Sequence, residues 1–348
     1  MKNEPHNMTA GTLSKRLTVM DRSKSLGHCV CDPKRACPCS DLVEQDICPC
    51  AGERFPSDKG REVKLTELAR NLGCASKIPA TDLEKCLSRL RQVDDPGVIS
   101  GLSDADDAGI YKIDGQTTLV QTVDVFTPCV DDPYIFGKIC AANCLSDIYA
   151  MGGVPRTALS ILSFPSDKYD GEIMYQMMRG AIEVLNSAGC TLLGGHSIKE
   201  DEVKLGFAVT GTIDPGKAFL LDGARAGDKL VLTKPLGVGI LNFARQIGRA
   251  AKEWLLEAER SMMELNRSAA EAMSEAGVSA ATDITGFGLF GHLVRMTRHS
   301  GVKARVYASV LPVFPGVLEL LRSGVIPGAV ERNAEFVGEE ITVGKDVG

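Results

Sequence analysis

The chain has 348 residues, 44% hydrophobic and 24% charged, which is long enough for two packed domains. Its formal net charge of −6 speaks against a nucleic-acid-binding surface. No apolar run approaches the roughly 20 residues that span a bilayer, and the opening MKNEPHNMTAGTLSKRL lacks the apolar core of a secretory signal, so a cytoplasmic setting away from membranes is expected.

Residues 1–60 are polar, rich in Cys, Pro and charge, and show no sustained periodicity, so they read as an extension ahead of the globular part. Six of the twelve cysteines fall here as three Cys-x-Cys pairs, Cys29/Cys31, Cys37/Cys39 and Cys48/Cys50, with His28 adjacent. Clustered thiols without a signal peptide point to metal binding or redox chemistry before a disulfide framework. Cys-x-Cys is not the usual zinc-finger spacing. Zinc or an iron–sulfur cluster on Cys29–Cys50 and a thiol-rich tail of no essential role therefore stand level.

The first globular domain is expected over residues 61–213, starting with a helix at 65–72. Gly73-Cys74-Ala75-Ser76-Lys77 follows, placing a thiol three residues from an ammonium. A nearby positive charge enriches the thiolate, and lysine can reach phosphate oxygens; unaided, the pair reads as a surface coincidence. Thr81 and Glu84 have the spacing of a capping box. Residues 109–113, a two-residue turn at Asp114-Gly115 and residues 117–123 read as a β-hairpin. Pairing outward sets residues 105–107 opposite 122–124. Asp106, Asp107 and Asp124 then converge at the hairpin's open end, where like charges repel and raise one another's pKa. No Lys or Arg lies between Leu102 and Tyr111, so magnesium, which favours carboxylates and substrate phosphates, is the natural neutraliser.

Asp131-Asp132-Pro133 opens a helix that runs to Met151 and stops at Gly152-Gly153. Asn143 and Asp147, four residues apart, emerge on one face. Such a polar pair commonly faces solvent, but the hairpin leading into this helix favours metal and phosphate binding. A strand at 156–164, a helix at 171–188 and a strand at 190–193 follow. The turn Gly194-Gly195-His196-Ser197 offers backbone N–H groups that could cradle a phosphate, although a double glycine alone is more often just a tight turn. After a strand at 204–212, Asp214-Pro215-Gly216 marks a domain boundary. The second domain, 214–348, is expected to hold a strand at 229–233 and helices at 254–276 and 290–299. In Thr282-Asp283-Ile284-Thr285-Gly286-Phe287-Gly288, Asp283 suits either a helix cap or a metal ligand. Alternating strands and helices with antiparallel hairpins indicate an α+β fold.

Together these segments resemble the selenophosphate synthetase family, ATP-dependent enzymes of the AIR synthetase (PurM-like) superfamily, over residues 65–333. The most specific stretch runs from Gln121-Thr122-Val123-Asp124 through Asp131-Asp132-Pro133 to Asn143-Cys144-Leu145-Ser146-Asp147-Ile148-Tyr149-Ala150-Met151-Gly152-Gly153. It is accompanied by Gly194-Gly195-His196-Ser197, Thr233-Lys234-Pro235-Leu236-Gly237, the Thr282–Gly288 segment and Pro327-Gly328. A co-linear series discriminates better than any one member.

The resemblance implies an α+β, PurM-like two-domain architecture: an N-terminal ATP-binding domain with a dimer-forming β-sheet, and a C-terminal α/β sandwich domain. It implies the reaction of ATP, hydrogen selenide and water to selenophosphate, AMP and orthophosphate, supplying activated selenium for selenocysteine and selenouridine synthesis. By the same resemblance Cys74 is catalytic, Lys77 is its partner and contacts ATP, and Asp106, Asp147 and Asp283 hold Mg2+. Ser103, Asp104, Ala105, Asp124, Asp147, Gly194, Gly195 and His196 line the nucleotide. The implied partners are ATP, selenide, a second copy of the chain and a selenium-delivery protein. The family continues past the equivalent of Asn333 with an Asp-Pro-Gln-Thr-Ser-Gly-Gly motif that is absent before Gly348, so an incomplete C-terminal domain is expected. The alternatives are another PurM-like ATP-using enzyme, against which Cys74 and Lys77 tell, or a non-catalytic nucleotide-binding paralogue.

Overall fold

The structure is a computed structural model that describes residues 10–30, 33–51, 53, 63–69, 72–73, 86–87, 89–90, 93–104 and 106–344. The described residues before 63, together with Pro165–Ile173, form one compact unit, and the remainder forms another.

The first unit holds α1 (Ala10–Leu26) and the short α2 (Ser40–Gln45). A 17-residue helix was not legible as a periodic stripe because its buried side chains include Arg16 and Ser23, whereas Leu13 and Leu17 are exposed. Arg16 donates from Nε to Glu53 Oε1 at 2.7 Å and from Nη1 to Asp46 Oδ1 at 2.5 Å. The Cys48 N–H donates to Glu53 Oε2 at 2.9 Å. An ionic knot thus stands where a larger domain would place apolar side chains; Ile47, Cys29 and Cys48 are buried around it. Cys50 is disulfide-bonded, and its sulfur lies 3.3 Å from Cys29 Sγ. Cys31 lies outside the described residues.

The second unit is built on a six-stranded sheet of β1 (Val98–Ser100), β2 (Gly109–Lys112), β3 (Thr118–Phe126), β4 (Val154–Phe164), β5 (Thr191–Lys199) and β6 (Lys204–Thr212), in the order β1-β2-β3-β6-β4-β5. Every pairing is antiparallel except β4 with β5, whose parallel register requires a crossover. That crossover is α4 (Gly171–Ser187). Helix α3 (Pro133–Ala150) has Pro133 in its first turn, and Asp132 caps it by accepting from the Ile135 N–H at 2.9 Å. Phe136, Ile139, Leu145 and Ile148 are buried, and Phe136 meets Phe126 of β3 edge-on at 5.8 Å between centroids. Helices α3 and α4 touch backbone to backbone. A Cβ on Gly137 would lie 1.8 Å from Met177 O, and one on Gly180 would lie 2.0 Å from Tyr134 O.

The hairpin forms, with one correction. Its loop has three residues, because Ile113 N donates to Thr117 O while Asp114 Oδ1 accepts from the N–H groups of Gln116 and Thr117, both at 2.8 Å. Lys112 therefore pairs with Thr118 and Gly109 with Gln121; continued by three residues, that register sets Asp106 level with Asp124. The expected helix at 65–72 is only a 3-10 turn, Leu65–Leu68, and the Thr81/Glu84 box lies outside the described residues.

Beyond β6 come α5 (Val238–Gln246), α6 (Lys252–Met263), α7 (Arg267–Ala276), α8 (Gly288–Ser300), α9 (Val317–Arg322) and α10 (Gly328–Val337). Leu241, Ala244, Ala258, Phe314, Val317 and Leu320 form their core. The single helix expected at 254–276 is two. Lys234 Nζ takes the carbonyls of Ser261 at 3.0 Å and Glu264 at 2.5 Å, ending α6, and Asn266 Nδ2 donates to Ser146 Oγ of α3 at 2.8 Å. No strand forms at 229–233: Leu230 and Val231 are 55% and 82% exposed, and the nearby pairing is a lone bridge between Leu236 and Val313. Among the described residues no helix is long and apolar enough to cross a membrane.

Candidate active site

Five aspartates reach one region from four places in the chain. Along the second half of α3, from Ile139 to Met151, every side chain is buried except Asn143 and Asp147. Both face β3: Asn143 Nδ2 donates to Asp124 Oδ2 and Thr122 Oγ1 to Asp147 Oδ2, each at 2.5 Å. The alternation of β3 and the i, i+4 spacing of α3 thus hold two carboxylates against one strand. Cys144 packs beneath them, donating to Asp124 O at 3.2 Å.

Asp107, just ahead of β2, meets the loop before α8. Thr282 Oγ1 donates to Asp107 Oδ1 at 3.0 Å, and the Asp283 N–H donates to Oδ2 at 3.3 Å. Asp106 turns another way, accepting from Ser100 Oγ at 2.5 Å and from the Leu221 N–H at 2.9 Å. The sequence reading counted Asp107 among the crowded acids but gave the ligand position to Asp106. The structure brings Asp107 against Asp283.

Loss of solvent, and then the Asp283 charge, hold the Asp107 carboxyl well above the usual carboxylate range, with Asp106 adding to the rise. Asp147 is raised well above it too, first by burial, then by Asp283, Asp124 and Asp107. The acids therefore share one field despite their separation in sequence. Carboxylate oxygens gathered where each disfavours the others' ionised form fit a hard divalent cation. One ligand atom each from Asp107, Asp283 and His292 lies within 4.8 Å of the other two.

His292, buried on α8, went unnoticed because its signal, a histidine inside a helical pattern, is shared by any core histidine.

Gly194, Gly195 and His196 are not a turn; they lie within β5. The register slips between Ala158 and Leu159 of β4, which pair with Leu192 and Gly194, and Gly194 takes a φ of 155° at this bulge. A Cβ on Gly195 would fall 2.1 Å from Ser160 Oγ, so glycine is what lets the two strands pair here. Beside it a pocket of about 350 Å³ is lined by residues that include Ser160, Leu162, Tyr175, Gly195 and His196; none of the five aspartates lines it. Asp104 closes the turn before β2 by accepting from the Gly101 N–H at 2.6 Å, with Ser103 exposed in that turn. Ala105, Cys74 and Lys77 lie outside the described residues. The chain leading to Cys74 is tied to the end of β3, as Gly73 N donates to Thr127 O at 3.2 Å.

Residues 105–213 match the family model for AIR synthase related protein, N-terminal domain, and residues 225–336 match that for the C-terminal domain. The chain is 43% identical over 285 residues to a selenide, water dikinase of Pelobacter propionicus, covering 82% of each chain. It is 38% identical over 286 residues to one of Clostridioides difficile, again 82% of each. The chain belongs to the selenide, water dikinase family. The five aspartates of this family member all fall within the two matched segments, and residues 10–53 fall outside both. Among solved structures the fold is similar to a ThiL protein complexed with AMPPCP and TMP, at TM-score 0.54 and 19% identity over 74% of this chain and 77% of that one. It is also similar to the HypE–HypF complex, at TM-score 0.55 and 16% identity over 74% and 88%. At such identities the likeness speaks to the fold alone, a PurM-like two-domain arrangement.

Proposed function

We infer that this chain is a selenide, water dikinase, converting ATP, selenide and water to selenophosphate, AMP and orthophosphate. The observation that carries the reading is the gathering of Asp107, Asp124, Asp147 and Asp283 into one field inside a chain 43% identical to a selenide, water dikinase. Phosphoryl transfer demands positioning and charge neutralisation more than covalent help. Mg2+ is the cation we propose, held by Asp107, Asp147 and Asp283, with Asp106 and Asp124 adding charge; bound there it would neutralise phosphate oxygens. Thr122 and Asn143 hold the carboxylates of α3 and β3 in place.

Cys74 and Lys77 are proposed as the selenium-handling thiol and its phosphate-facing partner. Selenide is a soft anion, and a thiolate beside an ammonium suits its capture or delivery. Ser103, Asp104, Ala105, Gly194, Gly195 and His196 are proposed to line the nucleotide, with a selenium-delivery protein as donor and the cytoplasm as setting. A homodimer is part of the reading. It is supported by β5, an edge strand of the sheet among the described residues, which carries Leu193 and Ile198 at 66% and 49% exposure, since natural edge strands are usually covered or paired. The zinc or iron–sulfur proposal for Cys29–Cys50 rests on the clustering of thiols in the sequence; Cys29 Sγ lies 3.3 Å from the sulfur of Cys50, whose disulfide would have to be reduced first. Metal analysis of the reduced chain tests it: about one equivalent of metal is expected, and a metal-free chain with reactive thiols refutes it.

The function is tested by phosphorus NMR of ATP with and without selenide. Selenide-dependent AMP and selenophosphate are expected, with Cys74→Ala losing product formation but retaining ATP binding. Turnover to ADP alone, or none, would refute the assignment.

A further inference from the structure

His292 lies close enough to Asp107 and Asp283 to be mistaken for a third ligand, but both its ring nitrogens are engaged by the loop that presents Asp283. The Thr285 N–H donates to Nε2 at 3.2 Å, so Nε2 carries a lone pair and, in the neutral ring, Nδ1 carries the proton. Nδ1 lies 3.3 Å from Thr282 Oγ1. With its oxygen accepting from the ring, the Thr282 hydroxyl has one hydrogen to give; of its two acceptors, Asp107 Oδ1 at 3.0 Å is nearer than the Asp283 carbonyl at 3.2 Å, and a carboxylate is the stronger acceptor. The sequence of donors runs from His292 Nδ1 to Thr282 Oγ1 to Asp107 Oδ1, while the Asp283 N–H holds Oδ2. His292 is buried on α8, and its ring lies 5.8 Å from that of Phe287, which limits its freedom to turn.

We propose that His292 is a positioning residue for the cation site. It does not bind the ion; it fixes the orientation of the Thr282 hydroxyl, and through it the carboxylate of Asp107, on the loop that carries Asp283. This rests on the reading of Asp107 and Asp283 as cation ligands. Groups that orient metal ligands in this way typically cost about 10–100-fold in metal affinity when lost.

Two substitutions separate the arms of the ring. Asparagine sets an amide N–H near the position of Nδ1 and keeps the donor to Thr282, whereas glutamine reaches the position of Nε2 and keeps only the partner of Thr285. Mn2+ binding to the full chain with AMPPCP, followed by electron paramagnetic resonance, is the readout, alongside a thermal melt. His292→Gln is expected to weaken Mn2+ about tenfold or more and to raise the KM for metal–ATP. His292→Asn should stay within about threefold of the parent. Thr282→Val should reproduce the glutamine variant, Thr282→Ser should restore binding, and the Gln/Val double variant should be no worse than either alone, as for groups acting in one series. Equal loss in the Asn and Gln variants, loss in Asn alone, or loss in neither overturns the proposal; so does additivity of the double variant. Failure of the parent chain to bind Mn2+ would instead overturn the cation reading on which the proposal rests.

Discussion

Asp147 is a single carboxylate that is costly to ionise in the fold and that the proposed site would use. Its carboxyl is raised by burial first and then by Asp283, Asp124 and Asp107, so in the metal-free protein the folded state resists its ionisation. Asp147→Asn keeps the shape, removes one like charge and leaves an amide for Thr122. Its thermal midpoint in EDTA should rise by about 2 °C, on the order of 1 kcal/mol, while Mg2+-dependent ATP turnover falls at least about a hundredfold; a drop in the EDTA midpoint would contradict this account. Much of this was legible at the level of residues. The spacing of Asn143 and Asp147 placed both on one face, and the hairpin register brought Asp106 and Asp107 toward Asp124. Which of Asp106 and Asp107 meets the Asp283 loop was not legible, because adjacent residues on an extended chain point to opposite sides and their partners, Leu221 and Thr282, lie more than a hundred positions away.

The elements that carry these acids depend on close contacts. Helix α3 reaches α4 only because Gly137 and Gly180 lack side chains. Gly137→Ala would thrust a methyl into Met177 O, so a loss of about 3 kcal/mol or more is expected. Displacing α3 moves Asn143 and Asp147 with it, so nucleotide affinity should fall together with the melting temperature; an unchanged melt would show that the helices have room. Helix α1 depends on ions instead. Arg16 hydrogen bonds hold the Glu53 carboxyl below its ordinary range. A carboxyl with a lowered folded value contributes stability fully above its unfolded value, about 4.3, and loses it as pH falls through the lower folded value. Proteolysis within residues 10–53 should therefore accelerate below about pH 4 and be fast already at neutral pH in Arg16→Met. A rate independent of both would contradict the ionic knot. The strands β3, β4 and β6, the amphipathic α4, and α3 with its Asp132-Pro133 start and Gly152-Gly153 stop could be read from the sequence. Helix α1 could not, because polar groups form part of its buried face, and the break between α6 and α7 could not, because Lys234 makes it from afar.

At the scale of the molecule, the sheet order β1-β2-β3-β6-β4-β5 is what turns local patterns into a site. Pairing β3 with β2 brings the residues ahead of β2 to the end of β3 that carries Asp124, and packing α3 on β3 adds Asp147. The loop before α8 then completes the set from the second matched domain. Exposure of β5 predicts that the chain sediments as a dimer and that charged residues at Leu193 and Ile198 shift it to monomer; a monomeric parent would remove that proposal. The central claim is that acids remote in the chain hold one cation site. Mn2+ soaked with AMPPCP into crystals of the full chain, located by anomalous scattering, tests it most directly. The account predicts manganese peaks within about 2.0–2.5 Å of carboxylate oxygens of Asp107, Asp147 and Asp283, bridged to the phosphates. Ordered nucleotide with no manganese at these three aspartates would contradict it.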